Sequence, residues 1–198
     1  MILLMLLLLL ATPVFADAPV SRDDDLLGVW FDVDAVSPCF ETTQDYQQVV
    51  GYVIISGMSH TLLEGYALGL TVEDEGGLFE LDVTMAACSF NALSGLEFMT
   101  GGCALPPDPA IVLLTLHATV IQPSDAVYFY LRAIPERMSN PASECLDAPC
   151  YYGDGAVFSL NHPDGDWGLP VAAINDPDFC ENVARDELPW GTVKTLYR

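Results

Sequence analysis

Apolar and polar residues alternate along most of this chain, and that alternation predicts strands. Leu62, Tyr66, Leu68, Leu70 and Val72 interleave with Gly65, Ala67, Gly69 and Thr71, and Glu64 breaks the apolar set. Phe79, Leu81, Val83 and Met85 interleave with Glu80, Asp82 and Thr84, as a half-buried strand should. The acidic turn Glu73-Asp74-Glu75-Gly76-Gly77 between them reads as the bend of a hairpin. Within residues 111–121, Val112, Leu114, Leu116, Ala118 and Val120 face one way, and Thr115, His117 and Thr119 the other. Val127, Phe129 and Leu131 alternate with Tyr128, Tyr130 and Arg132.

Residues 26–31 read as a first strand, 47–55 as a strand buried on both faces, and 96–100 as a shorter one. Two short strands are expected near 156–160 and 169–174, after a long loop at 136–154. Many short strands with turn signals and no sustained helical period predict an all-β fold. The expected architecture is a two-sheet antiparallel β-sandwich, jelly-roll-like, over residues 27–180. A tail at 181–198 follows. There Trp190, Val193 and Tyr197 fall at helical spacing behind Pro189. A short helix and an extended strand both remain open, and Gly191 weakens the helix.

The first sixteen residues differ from the rest. An apolar run from Ile2 to Leu10 leads to Val14-Phe15-Ala16, which fits a secretory signal peptide cut after Ala16. The run is shorter than the roughly 20 apolar residues that span a bilayer. It lacks a Lys or Arg beside Met1, and a buried N-terminal helix is the rival. Cleavage would leave an acidic lead-in at 17–26 and one domain with ample core.

All 28 acidic and 6 basic residues follow Ala16, so the formal charge of −22 belongs to the mature chain. Such a surface repels phosphate backbones, which argues against nucleic acid as a partner. No later stretch is apolar enough to span a membrane. Six cysteines, none in the leader, suit an oxidising compartment, secreted or periplasmic. Their spacing leaves the connectivity open. The favoured set closes Cys145–Cys150 around a short Pro-containing loop, staples Cys88–Cys103, and leaves Cys39–Cys180. With no CxxC and scattered His60, His117 and His162, zinc is disfavoured.

The strings GVWFD, YVII, LEGYALGL, LLTLHATV and VYFYL, in that order, with the tail WGTVKTLYR, are similar to cohesin-like β-sandwiches of secreted bacterial proteins. The resemblance covers roughly residues 27–134 and the tail. It implies a sandwich that binds a partner protein through one sheet face. No contact residue carries over, and Cys145 and Cys150 have no place in the pattern.

Asp32 and Asp34 would share a strand face, and paired carboxyls can hydrolyse glycosides when they flank a cleft. A solvated strand edge is the plainer role for them. Asn161, Asp164 and Asp166 surround a flexible turn with oxygen ligands of the kind calcium takes. An ordinary Asp-Gly turn is the plainer alternative. Adjacent Ser59 and His60 are not expected to build a nucleophile–base pair, and Ser94 lacks the elbow motif. Tyr128 and Tyr130 point outward if Phe129 is core, and exposed sheet tyrosines suit sugar or protein contact. Packing against a covering element is the rival. The basic, aromatic tail is expected to dock on the acidic body; a recognition segment is the alternative. The expected function is therefore an exported non-catalytic module that binds a protein or a glycan. A carboxylate-dependent hydrolase and a purely structural envelope component are the alternatives.

Overall fold

The computed structural model describes residues 25–74, 76–103, 105 and 110–185. The expected leader, most of the lead-in and the tail from 186 lie outside the described residues. In chain order the elements are β1 (Leu26–Trp30), β2 (Cys39–Phe40), β3 (Gln47–Ser56), β4 (Gly65–Asp74), β5 (Leu78–Met85), β6 (Phe90–Asn91), β7 (Glu97–Gly101), β8 (Ala110–Val120), β9 (Val127–Arg132), β10 (Cys150–Gly153), β11 (Ala156–Ser159), β12 (Ala172–Ile174) and α1 (Pro177–Arg185). They form a β-sandwich. One sheet has the order β1-β3-β8-β5. The other runs β11-β10-β4-β9-β12-β2, with β7 also on β4 and β6 on β7. All pairings are antiparallel except β12 with β2.

The core between the sheets holds Leu27, Val29, Val49, Val53 and Ile55 from one side and Tyr66, Leu68, Leu70, Phe129 and Leu131 from the other. At about 25 cal/mol per Å2 of apolar surface, such burial is the main stabilising term. Tyr66 is fully buried, and its hydroxyl donates to the Leu113 carbonyl at 3.3 Å. Burial pushes that phenol well above its ordinary range.

Strand β4 departs from the expected alternation, because both of its faces are buried from Gly65 to Leu70. Tyr66, Leu68 and Leu70 face the core. On its back, Ala67 lies under a second apolar cluster of Ile134, Cys145 and Cys150. The small back-facing residues permit that cover. A Cβ on Gly65 would stand 2.5 Å from the Thr100 carbonyl oxygen. Within the expected 136–154 loop lie a 3-10 turn at Ser143–Cys145 and strand β10. Asp154 and Gly155 both have positive φ, 52° and 76°, the two-residue turn that closes a β10–β11 hairpin.

Two expectations about pairing are corrected. Strands β4 and β5 are not a hairpin, since β4 pairs with β9 and β5 with β8. The Gly76-Gly77 turn instead carries the chain from one sheet to the other. Alternation says only that a strand has one wet side, and it cannot tell a hairpin from a crossing. In β8 the register shifts opposite Val53/Ile54. Leu113 is the extra residue of that bulge, so Val112 joins Trp30 and Ile54 on the outer face instead of lining up with Leu114 and Leu116. Strand β3 is buried on both faces only in its second half, and Gln48 and Val50 are exposed.

Three disulfides join Cys39–Cys180, Cys88–Cys103 and Cys145–Cys150, with Cα separations of 5.7, 4.3 and 5.2 Å. Cys88 and Cys103 extend the β6–β7 register. Cys39–Cys180 fastens α1 to the back of the larger sheet. That helix precedes the stretch where the sequence left a helix open. Asp176 accepts from the backbone N–H groups of Asp178 and Phe179 at 2.9 and 3.1 Å through one oxygen, and from the Tyr128 hydroxyl at 2.8 Å through the other. It is thus the N-cap and the dock of α1.

Just before it, Asn175 sits at φ 59°. Its Oδ1 accepts from the Thr42 N–H and hydroxyl at 2.7 and 3.0 Å, and its Nδ2 donates to the Gln122 and Asp125 carbonyls at 3.4 and 3.2 Å. Asn175→Ala is expected to cost about 2–4 kcal/mol from lost hydrogen bonds and left-handed backbone strain. Urea melts measure it. Asn175→Gly, which removes only the hydrogen bonds, should lie between it and the parent; equal loss in both would refute the strain contribution.

Candidate functional site

The residues singled out from sequence do not gather at one place. Asp32 is occupied by its own loop: it accepts from the backbone N–H groups of Asp34 at 2.9 Å, Val36 at 3.1 Å and Ser37 at 2.6 Å. That loop covers Trp30 and Ile54 on the outer face of β1 and β3, with Ala35 buried beneath it. Asp32 is thus committed to holding its own loop.

The 161–169 turn is organised around His162, which is 2% exposed. Its Nδ1 accepts from the Asp164 N–H at 2.9 Å, so its Nε2 carries the proton toward the Leu169 carbonyl at 3.2 Å. Asp166 Oδ1 accepts from the Gly168 N–H at 2.8 Å. Among the described residues no group of three or more His, Cys, Asp or Glu side chains converges as a metal site. Tyr128 and Tyr130 do point away from the core, and both are half-buried. The Tyr128 hydroxyl is held by Asp176, and burial together with Glu73 raises the Tyr130 phenol above its usual range.

One polar cluster brings the adjacent Ser59 and His60 into contact. Ser59 Oγ lies 2.8 Å from His60 Nδ1, close enough for a nucleophile–base contact. The carboxylate is in the wrong place for a catalytic triad, however. Asp25 accepts from Ser59 Oγ at 2.5 Å and from the Tyr151 hydroxyl at 2.9 Å, and it has no contact with the imidazole. The Tyr151 hydroxyl is itself 2.8 Å from His60 Nδ1. Two hydroxyl protons both satisfy Asp25, so Nδ1–H is the tautomer that completes the set. An imidazole that donates to serine cannot take its proton. The cluster instead ties the start of β1 to the β3–β4 connection and to β10. Burial, with Asp25 beside it, pushes the Tyr151 phenol far above its ordinary range.

The larger sheet carries its covers on its back: the 133–149 segment over β4 and α1 beside β9 and β12. Trp30 and the 31–37 loop cover one end of the smaller sheet. Among the described residues nothing covers the remaining outer surface of β3, β8 and β5. Cross-strand rows run Gln48–Thr119–Glu80, Val50–His117–Asp82 and Tyr52–Thr115–Thr84. Gln48, Val50, Glu80, Asp82, His117 and Thr119 border a shallow trough of about 180 Å3.

At its head stand Tyr46 and Phe79, 61% and 66% exposed, edge to face with ring centroids 5.9 Å apart. Alternation had placed Phe79 inside with Leu81 and Val83. A register shift between Leu78 and Glu80 turns it out. Tyr46 has φ 54°, a conformation that disfavours bulky side chains. Two aromatic rings are thus held in water by local geometry that works against them.

His117, expected to face away from the apolar side of its strand, is exposed. Gln48, Glu80 and Asp82 carry no distinctive sequence signal. Tyr46 and Phe79 were missed because bulges and left-handed residues leave no periodic trace. Their one clue was position, Tyr46 in the turn that precedes β3 and Phe79 second in β5. No family model matches the chain, and no curated protein matches it.

Burial holds the His162 imidazole below its ordinary value of 6.5, against the opposing pull of Asp164, the Leu169 carbonyl and Asp166. The unfolded chain therefore takes up a proton that the native state refuses. Stability should fall as pH drops from about 6.5 toward the native value, and be unaffected by this group above it. Thermal melts between pH 7 and 5 test this. His162→Gln, which keeps a donor and an acceptor without titrating, should flatten the slope. An unchanged slope would assign it elsewhere.

Proposed function

We propose that this protein is an exported, non-catalytic binding module that takes a protein or glycan ligand on the open face of its four-stranded sheet. The exposed Tyr46–Phe79 pair at the head of the polar trough carries this reading. Leaving a large apolar side chain in water forgoes about 1.5–3 kcal/mol of burial. A left-handed tyrosine adds about 1–2 kcal/mol of strain. Local strain of this kind clusters at binding sites, and adjacent exposed aromatics are the usual anchors of recognition.

Three disulfides, and no helix among the described residues that is long and apolar enough to cross a membrane, are compatible with a secreted protein. The likeness to cohesin-like sandwiches agrees with the use of one sheet face. The alternative, a carboxylate-dependent hydrolase, needs two carboxyls in a cleft. Glu80 and Asp82 border a shallow, open trough, and Asp32 is occupied by its own loop, which favours binding over hydrolysis.

Capture of a ligand from culture medium or periplasm tests the proposal, with immobilised protein as bait. Tyr46→Gly with Phe79→Ala should abolish capture. The same double variant should melt at or slightly above the parent temperature, because Gly relieves the left-handed strain. Capture that survives it would refute the assignment of this face.

A further inference from the structure

We infer that the trough recognises a polyhydroxylated strand bearing free amines, that is, a cationic glycan. This inference rests on the binding function proposed above and names its ligand class. The chemistry of the three rows decides it. In the middle of a protein–protein contact, charged side chains are depleted and apolar ones are gathered. Here the central strand of the trough, β8, presents the polar Thr119 and His117, the carboxylates of Glu80 and Asp82 line the β5 edge, and the exposed rings are confined to one end. Gln48, Thr119 and His117 complete a set of mixed donors and acceptors. Sugar hydroxyls are themselves both donors and acceptors, and the C–H face of a sugar ring packs on an aromatic face. The edge-to-face arrangement of Tyr46 and Phe79 leaves ring surface free for that contact.

Charge selects among glycans. The four strands of this sheet contain no lysine or arginine. On the other sheet, Arg132 and Arg137 both bind Glu97, at 2.8 and 2.7 Å. No guanidinium on the four strands offsets Glu80 and Asp82, in a chain of net charge −22. A uronic-acid polymer would meet repulsion along the trough, and a strand with protonated amines would meet two carboxylates.

Isothermal titration of the purified, disulfide-intact protein with hexameric β-1,4-glucosamine tests the inference. The fully N-acetylated hexamer and a hyaluronate oligomer are the comparison ligands. The free-amine hexamer should bind, the acetylated one at least about tenfold more weakly, and hyaluronate not at all. Affinity should fall as salt rises. Glu80→Gln with Asp82→Asn should lower affinity for the amine form about tenfold while leaving the weak acetylated binding in place. Equal affinity for the amine and acetylated hexamers, or no response to the carboxylate variants, overturns the inference. A lysine-rich peptide of the same charge binding as tightly overturns it as well. So does a gain in affinity on deleting residues 186–198, which would make the chain's own C-terminal end the occupant. If every glycan fails while a ligand is still captured through Tyr46 and Phe79, the ligand class is wrong and the open-face function stands. If the Tyr46 and Phe79 variants change neither glycan binding nor capture, both are wrong.

Discussion

From Gly65 to Leu70, strand β4 has no water on either side, and the arrangement of the rest of the molecule follows from that. A strand buried on both faces must give every backbone group a partner and must find two apolar layers to lie between. Strands β7, β9 and β10 supply the hydrogen bonds along its length. The smaller sheet supplies one layer. The other is built from a loop, and a loop has little cooperative structure of its own. Cys145–Cys150 closes that loop at a sequence separation of five residues and places both sulfurs in the apolar cluster over Ala67. The Cys39–Cys180 bond does the equivalent for α1 across 141 residues, where removing chain entropy from the unfolded state contributes about 5 kcal/mol in the simplest account. Covalent fastening thus appears where the larger sheet must be covered by elements too small to hold themselves.

Much of the architecture was legible because alternation is a local consequence of burying one face. Strands β1, β7 and β9 lie within a residue of their expected places. What escaped was information that alternation does not carry. Residue 113 sits in an unbroken apolar run, Val112-Leu113-Leu114, where an inserted residue changes the phase without changing the pattern. The β4–β5 connection had every mark of a hairpin bend, yet joins different sheets, because sheet membership depends on partners far away in sequence. Strand β10 was hidden inside an expected loop, although Asp154-Gly155 is a strong short-range turn signal. Tyr128 and Tyr130 were correctly oriented outward, but the element that engages Tyr128 begins at Asp176, 48 residues later. The open trough was the least legible part, since its strongest residues are the ones that violate periodicity.

The distribution of charge gives the two sheets different chemical characters. On the larger sheet, Glu97 accepts two guanidinium groups and its carboxyl lies below the ordinary range, with the Arg132 hydrogen bond as the chief cause. Arg132 lies across Gly69, where a Cβ would stand 2.9 Å from the guanidinium carbon. Glycine there lets the arginine lie flat against the strand, and cation and anion are neutralised locally. The smaller sheet has carboxylates without such a clamp. Among the described side chains the arginines Arg132 and Arg137 thus gather at Glu97 on the larger sheet, while the carboxylates of Glu80 and Asp82 on the smaller sheet have no such partner.

The knot of hydrogen bonds at Asp25 also sets a direction. Asp25 meets Gly57 at the end of β3 remote from Gln47, whereas Tyr46 and Phe79 stand at the Gln47 end. Roughly nine residues of extended strand, on the order of 30 Å, separate the two. Anything grafted ahead of residue 25, whether a tether to a bead or a reporter domain, would leave from the pole opposite the two aromatic rings. Immobilisation by that route would hold the molecule upright with the rings uppermost, so the choice of attachment point would decide whether the trough is accessible at all.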